Sequence, residues 1–279
     1  MKVFYTKVAL NTYLDTHKKN KQIGFIPTMG ALHEGHLSLL KKCNEENDIS
    51  VVSIFVNPTQ FDNPADLLKY PKTFQDDTKT LESAQCDVLF APDVKEIYAE
   101  NITATSFDFE GLEHEMEGRF RIGHFDGVGT VVKRLFEIVA PNKAYFGEKD
   151  FQQLQIVKKM TQKQQLPVEV KGCNIHRAKN GLAMSSRNSR LTKAHLKAAP
   201  FIFKTLQKVK MKFETEAPNT IIEWVEKEFE KQSLLTLEYF TIADEKTLKN
   251  IKNKDEKTQY RAFIAVFAGE IRLIDNIQI

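Results

Sequence analysis

His33 and His36 stand three residues apart in Pro27-Thr28-Met29-Gly30-Ala31-Leu32-His33-Glu34-Gly35-His36-Leu37, so a helix there projects both imidazoles from one face. A helix start offers unpaired backbone N–H groups and a positive dipole end, which suit a phosphate. From the residues alone the pair admits two other readings. It could be two ligands of a metal whose third ligand has no recognisable spacing, or two histidines satisfied by their neighbours. Lys149 lies between Tyr145-Phe146-Gly147 and Phe151-Gln152-Gln153, where a strand end meets a helix start, and supplies a point charge for a phosphate. A solvated lysine beside an N-cap Asp150 describes the same spacing. Asn57 and Gln60 carry amides that donate and accept, which suits a ligand with hydroxyl and carboxylate groups; a loop of locally satisfied amides is the alternative. Asp76 and Asp77 open a helix, where capping and dipole compensation account for them and contact with Mg²⁺ is the other reading.

Strand ends and helix starts must hold these groups. Ile23-Gly24-Phe25-Ile26 reads as a short buried strand, and Leu37, Leu39, Leu40 and Cys43 form an apolar stripe running to about Glu46. The β-branched run from Asp48 to Val56 reads as a strand buried on both faces, stopped at Pro58. Thr73 is a helix N-cap, Asp87 to Phe90 a third strand, and Ser106 to Phe109 another. Residues 119–130 read as a glycine-punctuated loop feeding a helix from Val131 to Val139, with Arg121 and His124 facing a ligand cleft. No strand directly precedes those glycines, so they are not a dinucleotide fingerprint. Ala144 to Phe146 is a strand, a helix runs from about Asp150 to Lys163, and Leu166 to Cys173 is a strand. This alternation predicts an open parallel sheet wrapped by helices over residues 1–174, an α/β fold. From residue 175 a basic, hydroxyl-rich loop leads into helices from Lys193 to Met211 and Asn219 to Gln232. Strands at 235–242, 260–267 and 271–275 complete a smaller α+β domain over 175–279.

Length and composition agree with two ordinary globular domains: 279 residues, 42% hydrophobic and 28% charged. A net charge of +3 is too small to demand nucleic acid as a partner. Cys43, Cys86 and Cys173 form no CxxC and no zinc spacing, so reduced thiols in a cytoplasmic protein are expected. The first residues lack the apolar core of a signal peptide, and no run approaches the roughly 18 apolar residues of a membrane span.

The His-x-Gly-His pattern resembles the signature of the adenylyl-transferring superfamily that includes class I aminoacyl-tRNA synthetases and small nucleotidyltransferases. Four motifs in order, PTMGALHEGHL, FVNPTQF, YFGEKDFQQL and LAMSSRNSRL, closely resemble the pantothenate synthetase (pantoate–β-alanine ligase) family over essentially the whole chain, and the terminal RLIDNI resembles that family's ending. The resemblance implies a Rossmann-like N-terminal domain, a hinged C-terminal lid and a cytoplasmic homodimer. It implies that pantoate and β-alanine are joined with ATP and Mg²⁺ through a pantoyl-adenylate. Met29, Gly30, Ala31, Leu32, His33, Glu34, Gly35 and His36 would line the ATP site, with His33 and His36 on the phosphates and His36 matching the usual proton donor. Gln60 and Gln153 would hold pantoate, and Gln60 also β-alanine. Gly147, Glu148, Lys149 and Asp150 would contact ATP, with Lys149 at the α-phosphate and Asp150 near the ribose. His176 falls where a backbone contact to adenine is made. Met184, Ser185, Ser186 and Arg187 match the KMSKS-like loop, and Arg121 a phosphate-side arginine. Asp76 and Asp77 match an acidic turn, with Mg²⁺ held mostly by phosphates. Asn180 departs from the family by standing where an acid commonly precedes Gly-Leu. Another adenylyltransferase of the superfamily is the rival enzyme, although the chain has no room for an anticodon-binding domain. A non-catalytic nucleotide- or RNA-binding module is the rival outside catalysis.

Overall fold

Apolar, β-branched runs alternating with amphipathic helices bury both strand faces when a parallel sheet lies between helices. The computed structural model describes residues 1–61, 67–68, 70–99 and 101–279. Its first sheet comprises β1 (Lys2–Phe4), β2 (Ile23–Thr28), β3 (Ile49–Ile54), β4 (Val88–Phe90), β5 (Lys143–Gly147) and β6 (Glu169–Cys173). All pairings are parallel, in the order β1-β4-β3-β2-β5-β6. The chain leaves β2 for β3 on one side and later places β5 on the other. The strand order therefore reverses between β2 and β5, and open α/β sheets bind ligands beyond the C-terminal ends of strands at such a point.

Helix Glu34–Glu46 buries Leu39, Leu40 and Cys43 in a core shared with Ile26, Val52, Leu89 and Tyr145. The three cysteines are free and buried. Burial pushes the Cys43 and Cys86 thiols up to about 12 and Cys173 up to about 11, so all three stay protonated as small apolar groups.

Residues 1–148 and 152–174 form one compact unit; Lys149–Phe151 group with residues 175–279 in a second. The second unit has the antiparallel sheet β7 (Thr236–Asp244), β8 (Tyr260–Ala268) and β9 (Ile271–Gln278). Leu206 and Val209 of helix Phe201–Phe213, and Ile221 and Val225 of helix Pro218–Glu230, share its core with Ile264 and Val266. Among the described residues no helix is long and apolar enough to cross a membrane.

Several elements differ from the sequence reading, among them the strand Lys2–Phe4, which it did not contain, and a last strand that runs on to Gln278. The helix expected from Val131 begins at His124 and runs to Val139, so Gly127 and Gly129 of the supposed loop lie inside it and Gly123 is its N-cap. A Cβ at Gly127 would sit 2.3 Å from the Thr59 carbonyl oxygen, and glycine is what lets this helix rest against the 3₁₀ turn Pro58–Gln60. Ser106 to Phe109 is not a strand. Thr105 and Phe107 donate their N–H groups to Thr130 Oγ1 and Asp126 Oδ1, so helix side chains replace a strand partner. The helix expected over 193–211 is split at Pro200 into Lys193–Ala198 and Phe201–Phe213, since proline has no N–H to continue the ladder.

Gly127→Ala is expected to destabilise the chain by about 1–2 kcal/mol, because the clash with backbone outweighs the better helix propensity of alanine. A urea-unfolding midpoint equal to that of the unaltered chain would show that the helix does not depend on this approach.

Candidate functional site

The turn after β2 is held from outside itself. The Thr28 hydroxyl donates to the Ser53 carbonyl (2.7 Å) and accepts from the Gly30 N–H (3.2 Å). The backbone then takes positive φ at Gly30 (85°) and Ala31 (50°), which aims the next two N–H groups at one carboxylate. Asp77 accepts from Ala31 (2.9 Å), Leu32 (2.8 Å) and the Thr73 hydroxyl (3.1 Å), and is only 3% exposed. Thr73 thus occupies the N-cap position of helix Phe74–Ser83 without capping it, its hydroxyl going to Asp77. Asp77 clamps the turn as well as standing in the first turn of its own helix. Asp76 is exposed, and the described residues contain no group of three or more His, Cys, Asp or Glu able to hold a metal.

The clamped turn delivers His33 to the N-cap of helix Glu34–Glu46. His33 Nδ1 accepts from the Gly35 N–H (3.1 Å) and His36 Nδ1 accepts from the His33 N–H (3.3 Å), a reciprocal cap made by two imidazoles. A ring nitrogen that accepts an amide N–H is unprotonated, so each neutral ring carries its proton on Nε2. The rings lie 4.1 Å apart, centre to centre. The helix start therefore carries two imidazoles tilted 36° to one another, and two of its backbone N–H groups are already engaged.

Gln60 is oriented just as firmly. Asn57 is 1% exposed; its Nδ2 donates to the Gly127 carbonyl (3.2 Å) and to Gln60 Oε1 (3.1 Å). Its Oδ1 accepts from the Tyr98 hydroxyl (2.5 Å), which burial pushes upward in pKa and so keeps as a donor. With Oε1 committed, Gln60 presents its NH₂, which reaches Met29 Sδ at 3.0 Å, a weak acceptor that a better one would displace. The Gln60 backbone carbonyl accepts from His124 Nδ1 (2.8 Å) and Arg121 Nη2 (3.4 Å), while Arg121 Nη1 lies 3.1 Å from His124 Nε2. His124 is thus a support for Gln60, and Arg121 stands beside it. Met29, His33, His36, Gln60 and Arg121 all belong to the first unit. So does half-buried Gln153, whose neighbour Gln152 is structural, bonding Leu112, Glu115 and Glu117.

In the second unit Lys149 pairs with Asp150, Nζ to both carboxylate oxygens at 3.1 Å. The exposed His176 accepts at its carbonyl from the Met184 N–H (3.0 Å), and Arg177 bridges Ala183, so residues 176–184 form a narrow hairpin. Asn180 Oδ1 accepts from the Leu182 N–H (3.1 Å), the turn-forming bond an acid at that position would make. Ser185 caps the 3₁₀ turn Ser186–Arg190, accepting from the Arg187 N–H at 3.3 Å. Sequence reasoning placed these segments but missed Asp77 as clamp and Asn57 as the residue that aims Gln60. The one signal for Asn57 was an amide immediately before a proline at a strand end.

A family model described as pantoate-beta-alanine ligase matches residues 2–278. The chain is 52% identical over 281 residues to the pantothenate synthetase of Flavobacterium psychrophilum, covering 100% of each. It is similar to the crystal structure of pantothenate synthetase from Thermus thermophilus, with TM-score 0.90 and 36% identity, covering 100% of this chain and 99% of that one. It is also similar to pantoate-beta-alanine ligase from Francisella tularensis complexed with beta-gamma ATP and beta-alanine, with TM-score 0.84 and 35% identity, covering 100% and 97%.

Asp77→Ala removes the acceptor for two half-buried N–H groups and is expected to lower stability by about 2 kcal/mol. Differential scanning calorimetry checks this, and Mg²⁺ alone should raise the melting temperature of neither protein. A shift by Mg²⁺ in the unaltered chain that Asp77→Ala abolishes would restore Asp77 as a metal ligand.

Proposed function

Because the chain belongs to the pantoate–β-alanine ligase family, we infer that it joins pantoate to β-alanine in an ATP-dependent condensation and that the two described clusters divide the work. The observation that carries this reading is the oriented Gln60 amide beside the Met29–His36 turn, at the end of the strands where the sheet reverses. Two N–H bonds on Gln60 match a carboxylate or hydroxyl oxygen, and the imidazole donors at the helix start match phosphate oxygens.

The reaction we propose has two steps. A pantoate carboxylate oxygen attacks the α-phosphorus of ATP, an O–P bond forms, and pyrophosphate leaves. The free amine of β-alanine then attacks the acyl carbon of the pantoyl-adenylate, the acyl C–O bond to AMP breaks as the amide C–N bond forms, AMP leaves with the electron pair, and the nitrogen gives its extra proton to water. No enzyme nucleophile is needed, so positioning and charge stabilisation supply the rate. Gln60 and Gln153 hold pantoate, and Gln60 also receives β-alanine. His33 and His36 bind phosphate oxygens through Nε2–H. With Nδ1 accepting from backbone, His36 serves as a hydrogen-bond donor in preference to giving up its proton.

Lys149 stabilises the α-phosphate, Asp150 lies near the ribose, and Arg121 adds positive charge on the phosphate side. Residues 29–36 and 147–150, with His176 and Met184–Arg187, bind ATP. Mg²⁺ would be held mainly by the triphosphate and would neutralise charge on it, with the Asp77 carboxylate already engaged by Ala31, Leu32 and Thr73. The second unit acts as the lid that keeps water from the adenylate. The working form is a cytoplasmic homodimer, as the family resemblance implies.

AMP should appear only when pantoate, β-alanine and ATP are all present, and pantoate alone should support exchange of labelled pyrophosphate into ATP. Exchange without pantoate would point to a different adenylyl acceptor, and its absence altogether would remove the adenylate. His36→Ala and Lys149→Ala are each expected to lower turnover at least ~10²-fold in folded protein. Turnover near that of the unaltered enzyme would take the residue out of the mechanism.

A further inference from the structure

The end of the chain carries buried polar groups that the reaction above does not use. Asp275 and Asn276 on β9 are 5% and 2% exposed, and Arg261 on β8 is 5% exposed. Asn276 Nδ2 donates to the backbone carbonyl of Lys149 at 2.9 Å, across 127 residues of sequence. Its Oδ1 accepts from Arg261 Nη1 at 2.6 Å, which fixes the amide so that its NH₂ faces Lys149. The Arg261 guanidinium also lies 4.0 Å from the ring centre of Phe151, and the Phe263 ring 5.8 Å away from it. Both ends of Lys149–Phe151 are thereby fastened to the second unit's sheet.

The same dipeptide holds another segment. Arg177 forks onto Asp275 at 2.6 and 2.8 Å and reaches the Asn276 carbonyl at 3.3 Å. Arg177 lies in the hairpin that pairs with Ala183 and leads into Met184–Arg187. Burial pushes the Asp275 carboxyl up, against the two guanidinium bonds and the Asn276 N–H, so such an acid costs stability unless its bonds are kept. A strand needing only packing would carry apolar side chains here.

We propose that Asn276 is a positioning residue for the ligase reaction. Its amide, braced by Arg261, and the neighbouring Asp275–Arg177 fork register the Lys149 backbone against the 176–184 hairpin. Lys149 and the Ser185-Ser186-Arg187 loop then meet the nucleotide as one body. Asn276 touches no reacting atom and acts through Lys149, so the proposal rests on the reading of Lys149 as a phosphate contact.

The test is a double-mutant cycle in the full-length enzyme, reading pantoate-dependent pyrophosphate exchange per titrated ATP site. Asn276→Asp keeps the acceptor for Arg261 and removes the donor to Lys149. Alone it should lower kcat about tenfold with the KM for pantoate changed less than about twofold. In the Lys149→Ala background it should lower kcat less than about twofold, because the group it positions is gone. A tenfold loss in both backgrounds, or no loss alone, overturns the proposal. Lys149→Ala at full activity removes the reading beneath it as well; a hundredfold loss there with Asn276→Asp unaffected overturns the proposal alone. If Asn276→Asp does not fold, Arg261→Lys, which keeps the charge but loosens the Asn276 amide, is put through the same cycle with the same outcomes.

Discussion

One carboxylate decides where the histidines stand. The turn between β2 and helix Glu34–Glu46 takes positive φ at two consecutive residues, and one of them is alanine. A non-glycine residue in that region costs energy unless its surroundings impose it. Asp77 imposes it by accepting from Ala31 and Leu32 together. The turn then ends with His33 extended at the N-cap, which is the geometry the imidazole cap requires. Without the clamp the two rings would have no common frame.

Gln60 shows the same logic by a longer route. A missing Cβ at Gly127 lets a helix approach a turn, its carbonyl sets the Asn57 amide, and Asn57 sets Gln60. Each link is a hydrogen bond whose direction forces the next, so no flexible side chain chooses its own rotamer. The Gln60 NH₂ is thereby preorganised by residues that stand behind it.

Much of this was legible in the chain itself. The strand and helix alternation, the helix start at the histidine pair and the amide turn after β3 follow from local patterns with periods of two and 3.6 residues. What was illegible depends on partners remote in sequence. Asp77 reads as an ordinary first-turn acid until Ala31 and Leu32, 46 and 45 residues earlier, are seen against it. Phe107-Asp108-Phe109 alternates like a strand, yet the Phe107 N–H is taken by Asp126, 19 residues on, and the Phe109 N–H by Glu113. Gly127 reads as a loop glycine because only the folded neighbour explains why no side chain fits.

In the proposed reaction the Nδ1 caps on His33 and His36 bear on turnover as well as on binding. Rings that accept backbone N–H groups at Nδ1 are uncharged, so there they would hold phosphate oxygens by hydrogen bonds and not by fixed positive charge. Such donors help most while negative charge is developing and hold the departing anion less tightly than two imidazolium cations would. On that proposal, the helix that depends on those caps would favour an enzyme that lets its first product go.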